Sequence, residues 1–224
     1  MDLTQRPAST MKLAGGRLIL DFINTAGSRR PDPSRSSANS DAVVIVSDKL
    51  DDYFDLLAWS GHTGLLNEQD LQRLIREAGR RKDEAARVLE RALELREASY
   101  RICRAIMSKR QPQAADLNLL NREIAMARRH ERLTAASDGF VWEWANEKSE
   151  LDRMLWPVAL SAAELLTTGD MTRVHACGGQ DCGWLFEDNS RNRSRQWCTM
   201  QDCGNLAKVR RFRTRLRDAV KRGE

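Results

Sequence analysis

The chain has 224 residues, 41% of them hydrophobic and 31% charged, enough for one large or two modest cores and too apolar for wholesale disorder. Its formal charge of +5 hides an asymmetry: residues 1–190 hold 26 basic and 29 acidic side chains, net −3, whereas residues 191–224 hold 11 and 3, net +8. No apolar run nears the ~20 residues of a membrane span, MDLTQRPASTMK lacks the pattern of a signal peptide, and five unevenly spaced cysteines make no secreted disulfide framework, so a cytoplasmic protein without a membrane partner is expected.

After a polar tail over 1–9, RLILDFINT reads as a buried strand or short buried helix. Residues 28–41, with two prolines and five serines, read as a mobile loop. The β-branched AVVIV at 42–46 reads as a strand that could pair with the first apolar run. Helical periodicity then takes over. Leu50, Tyr53, Phe54, Leu56 and Leu57 form a stripe ending near Gly61, and Leu71, Leu74 and Ile75 mark a helix after the cap candidate Asn67. The span 83–109 carries Leu89, Leu93, Ile102 and Ile106 at helical spacing and is expected to stop at Pro112. A further helix runs through Leu117, Leu120 and Ile124, with Arg128, Arg129 and His130 at its negative end.

Residues 133–144 read as a hairpin turning at Asp138-Gly139, with Phe140, Trp142 and Trp144 alternating against Val141 and Glu143. The stripe Leu151, Met154, Leu155, Val158, Ala162, Leu165 and Leu166 returns to helix, and Pro157 inside it predicts a kink or break. The expected fold class is therefore mainly α with small β elements: a helical N-terminal domain over 1–170 and a different module over 171–224.

That module is built on Cys177-x4-Cys182 and Cys198-x4-Cys203, two equal pairs fifteen residues apart. Four thiolates at ~2.3 Å satisfy a tetrahedral zinc ion, and each short pair presents two ligands from one turn. The alternatives are an iron–sulfur cluster, a redox pair or buried thiols. Knuckle, hairpin, second knuckle and helix is the order of a treble-clef-like zinc finger, with one Zn²⁺ per chain. Trp197 suits the miniature core of such a finger, His175 a packing place near the metal, and Cys103 a core position in the long helix.

Arg191, Arg193 and Arg195 enter the second pair, and Lys208, Arg210, Arg211, Arg213 and Arg215 decorate the terminal helix. Its apolar stripe, Leu206, Val209, Phe212, Leu216 and Val220, is expected to pack on the zinc module or the body. The guanidinium density suits phosphate oxygens, so these eight basic residues are candidate contacts to duplex DNA. The alternative is an interaction module for RNA or an acidic protein partner. Asp21 and Asn24, polar groups within an apolar run, are candidate ligand-binding residues of a small-molecule effector site; their bland reading is as caps of a turn. A homodimer is a further candidate, although no heptad repeat persists. No triad, phosphate loop or clustered histidine suggests catalysis, so no catalytic residue is assigned and no enzyme is expected.

The run SRNRSRQWCTMQDCGNLAKVRRFRTR resembles the CGNR zinc-finger domain. Cys203, Gly204 and Asn205 match its signature, and Leu206 stands where the signature has arginine. The body resembles that finger's usual partner, the ABATE domain, at LDFINT (20–25), DLLAW (55–59), GLL (64–66) and ELDRMLWPVALSAAELLTTG (150–169). The resemblance implies a stress-response regulator of transcription.

Overall fold

A computed structural model describes residues 2–31, 43–145 and 149–222. The N-terminal segment makes one 3₁₀ turn, Pro7–Thr10, and lies along α2 (Tyr53–His62), where Ala8 and Met11 are buried. The run LILDFI forms a short helix, α1 (Leu18–Ile23), rather than a strand. Buried from Ile19 to Ile23, it is apolar apart from Asp21. Strands β1 (Ala26–Pro31) and β2 (Val43–Asp48) pair antiparallel, so the second strand meets the residues after the first apolar run, not the run itself. Residues 28–31 of the expected loop thus belong to β1, and 32–41 lie outside the described residues.

Four helices follow: α2, α3 (Glu68–Arg80), α4 (Lys82–Met107) and α5 (Ala114–Arg129). Asp52 caps α2 in a reciprocal capping box with Asp55, and Asn67 caps α3 by accepting from the Asp70 N–H, as its position predicts. The long helix ends five residues before Pro112. Lys109 takes a left-handed φ of 55°, and Arg110 N–H bonds back to the Ala105 carbonyl, which satisfies the helix end before proline is reached.

The hairpin forms from β3 (Glu131–Ala136) and β4 (Gly139–Trp144), but its two-residue turn is Ser137-Asp138, one residue earlier than Asp138-Gly139, because Gly139 already pairs with Ala136. Helix α6 (Leu155–Thr167) contains Pro157 in its first turn, where the missing N–H costs nothing, and Leu151 and Met154 of the expected stripe lie in the turn before it. Strands β5 (Val174–Ala176) and β6 (Leu185–Glu187) make a third antiparallel pair, and α7 (Asn205–Arg222) ends the described chain.

One core gathers α1 to α6 around the buried Trp59 and Trp156. Val174 and Leu185, from β5 and β6, belong to that same core. The sequence pattern does not reveal the buried ion-pair cluster of α4: Arg96, 1% exposed, donates to both oxygens of Asp48 at 2.7 and 2.6 Å and also to Glu97 and Thr25. That fork fixes the end of β2 on the helix.

Candidate metal centre and nucleic-acid interface

Cys177 and Cys182 lie in the loop joining β5 to β6, so the first knuckle is the tip of the third hairpin rather than preceding a separate one. Cys198 precedes, and Cys203 lies within, a short π-helical turn, Met200–Gly204, that runs straight into α7. The Thr199 side chain opens this turn by accepting from the Asp202 N–H. Gly179 is a required small residue, since a Cβ there would sit 2.7 Å from the Cys203 sulfur. Gly183 has φ 69°, and a Cβ would meet that of Arg29 at 2.7 Å, so the knuckle is also shaped to lie on β1.

The four sulfurs all lie within 4.8 Å of one another, and none is in a disulfide. Cys182 and Cys198 sulfurs are 3.8 Å apart, and Cys198 and Cys203 sulfurs 3.6 Å apart. A tetrahedron with 2.3 Å zinc–sulfur bonds has edges of about 3.8 Å, so the donor set fits the ion. Backbone N–H groups of Gly179 and Cys198 point at the Cys177 sulfur from 3.4 and 3.2 Å, as thiolates require. Hydrogen bonds from Cys182 and Cys198 hold the Cys177 thiol far below its usual range. Cys177 in turn pushes Cys182 up to about 12 and Cys198 higher still, and burial raises Cys203. Four thiolates at this spacing repel one another unless a divalent cation sits among them. Trp197 closes the small finger core with Phe186, and His175 packs on Phe186 at 6.0 Å between ring centres.

Residues 16–169 match the ABATE family model, described as "Putative stress-induced transcription regulator". The chain belongs to the ABATE family. Residues 173–216 of this ABATE protein match the CGNR zinc-finger model, and the four clustered cysteines make it a zinc-binding protein that holds one ion. No curated protein matches the chain. Neither family model describes an enzyme. Among the described residues no helix is long and apolar enough to cross a membrane.

The finger is stitched to the ABATE body by polar groups. Asn24 donates to the Leu185 carbonyl at 2.8 Å and accepts its N–H at 2.9 Å, pairing with β6 as a neighbouring strand would. Asp21 accepts the Gly15 N–H at 2.7 Å. Of the two candidate ligand-binding residues, Asn24 thus has both ends of its amide engaged by the finger backbone, and Asp21 holds the N-terminal segment. Arg17 reaches Glu187 at 2.7 Å, and the Trp184 indole donates to the Ala26 carbonyl.

Arg195, a candidate DNA contact, is engaged within the protein. Its guanidinium donates to the carbonyls of Trp197, Ala14, Glu187 and Cys198 and lies 4.2 Å over the Phe186 ring. It is a clamp between the finger and the N-terminal segment, with four carbonyls on its five N–H groups. Arg191, Arg193, Lys208, Arg210, Arg211, Arg213 and Arg215 are all exposed.

The apolar stripe of α7 does not pack as expected. Leu206, Val209, Phe212 and Leu216 are 57, 45, 62 and 51% exposed, because the helix leaves the finger at Gly204 and is packed chiefly on the turn before it. The Val220 side chain lies outside the description. Leu206, at the signature arginine position, lines a cleft of about 260 Å³ with Trp197, Arg210 and Arg211.

Burial pushes the Asp21 carboxyl up to about 6, against the pull of Gly15, Arg195 and His62. A folded value above the ordinary 3.8 means that stability is fully present below pH 4 and falls as pH rises through 6. Asp21→Asn, which keeps the acceptor for Gly15, is expected to exceed the parent by about 3 kcal/mol at pH 8 and by less than about 1 kcal/mol at pH 4. Urea titrations across that range check it, and a constant difference would refute the assignment.

Proposed function

We propose that this protein is a zinc-dependent, DNA-binding transcriptional regulator whose finger docks α7 on duplex DNA, while the body over 1–170 senses an effector or mediates oligomerisation. One observation carries the reading: α7 stands clear of the body with Lys208, Arg210, Arg211, Arg213 and Arg215 exposed, and none of them is ion-paired among the described residues. Such a density of uncompensated charge favours a polyanion. An α-helix fits the major groove, and arginine forks match phosphate and guanine edges. Arg191 and Arg193, on the segment entering the second knuckle, would add phosphate contacts beside the helix.

Electrophoretic retardation of duplex DNA by zinc-loaded protein tests this. Binding should weaken steeply with salt, and Lys208→Ala/Arg211→Ala should weaken it by at least about tenfold and lower the salt slope by about two. No retardation at low salt would remove the reading. The exposed stripe Leu206, Val209, Phe212 and Leu216 supports a second one, in which α7 holds an acidic amphipathic segment of another protein. That reading predicts no shift of DNA even at low salt.

A further inference from the structure

A cleft of about 500 Å³ opens between the N-terminal segment, the end of α2 and the start of α3. It lies in the size range of small-molecule sites. Its floor is apolar, made by Leu3, Ala58, Leu66 and Leu71, and carboxylates of Asp2 and Glu68 stand at its rim. Among the described residues no lysine or arginine lines it; His62 does, with its Nε2 on the Met11 carbonyl, and Asp2 and Glu68 also accept from Thr4 and Gln72.

The wall opposite α3 is a strap that continues to the finger. Over 2–17 this strap is tied first to α2, where Arg6 bonds Asp52 and Asp55 at 2.7 and 2.8 Å and His62 Nε2 donates to the Met11 carbonyl. It then meets the finger: Lys12 pairs with Asp202 at 2.6 Å, the Ala14 carbonyl accepts from Arg195, and the Gly15 carbonyl accepts the Glu187 N–H at 2.8 Å.

We propose that this cleft is an effector site for a small, mainly apolar molecule carrying one positive charge, and that the strap passes its occupancy to the zinc finger. The floor supplies apolar burial, the rim supplies charge selection, and an anion would meet two carboxylates there. An occupant touches Asp2, Leu3 and Thr10 on the strap, so it steadies the same backbone that Arg195 and Glu187 hold from the other side. The inference needs no assumption about what α7 binds.

Calorimetric titration of the full-length, zinc-loaded protein with tryptamine, tryptophol and indole-3-propionate separates the cation, its neutral analogue and an anion. Tryptamine should bind most tightly, by about two- to fivefold over tryptophol, the span of an exposed ion pair. Asp2→Asn/Glu68→Gln together should remove that preference, and Gln72→Trp or Thr10→Trp, both at exposed rim positions, should abolish binding of all three while the helical circular dichroism is kept. At saturating tryptamine, zinc transfer to a colorimetric chelator should slow at least about twofold in the parent and stay unchanged in Gln72→Trp. Equal binding of all three compounds, tighter binding of the anion, binding that survives both tryptophan variants, or no saturable binding at millimolar concentration would each overturn the site. An unchanged zinc transfer rate would overturn the coupling through the strap.

Discussion

Cys198→Ser, or exhaustive chelation of the parent, should cost the whole protein at least about 5 kcal/mol, not the finger alone. Structural zinc contributes about 10–16 kcal/mol in isolated finger peptides, and its binding energy is folding energy. Among the described residues only Phe186, Ala14, Trp184 and Trp197 add apolar packing around the cysteines, far too little to stand without the ion. The loss spreads because Val174 and Leu185 are part of the main core and flank the first knuckle. Released from the metal, β5 and β6 lose the constraint that holds them paired at three positions. For a chain of this length each kcal/mol moves the melting midpoint by about 2–4 °C, so a fall of about 10–20 °C is expected in calorimetry, with zinc content below one ion per chain. A midpoint unaffected by zinc removal would mean that the cluster is packing and not a metal centre.

The zinc site was legible in the sequence because a metal imposes its geometry on spacing. Cys177-x4-Cys182 and Cys198-x4-Cys203 retain the tetrahedron even when nothing is known of the fold. Helices α2 to α6 were legible for a similar reason, since a buried stripe must recur every third or fourth residue. The attachment of finger to body was hidden, because it depends on main-chain partners that leave no trace in residue type. Arg195 resembles Arg191 and Arg193 in the sequence, yet four carbonyls and the Phe186 ring consume it, while its neighbours stay exposed. Asn24 was visible as a polar residue in an apolar run, but only the position of β6 tells which backbone it serves. Strand β1 is composed as a loop, AGSRRP, and its pairing comes from backbone groups that any residue carries. For α7 the amphipathic pattern suggested a buried face. The turn Met200–Gly204 instead sends the helix away from the core.

Asn24→Ala should be the most damaging substitution outside the cysteines. Asn24 is wholly buried, and its truncation leaves the Leu185 N–H and carbonyl unpaired inside the protein. Each such group costs about 1–3 kcal/mol, so the pair amounts to about 2–6 kcal/mol, plus the cavity left by the amide. Asn24→Asp preserves the acceptor for the N–H but replaces the donor with a buried negative charge facing a carbonyl, and should be no better above pH 5. The loss should be local before it is global. Hydrogen exchange at Leu185 and Glu187 should accelerate far more than at α4 or α5, because β6 is held to the body by Asn24, by the Gly15 carbonyl and by the Arg17–Glu187 pair. With the first of these gone, the finger should lift from the ABATE body while keeping its zinc. Uniform acceleration across all helices would show that Asn24 supports the core of the body and not its joint with the finger.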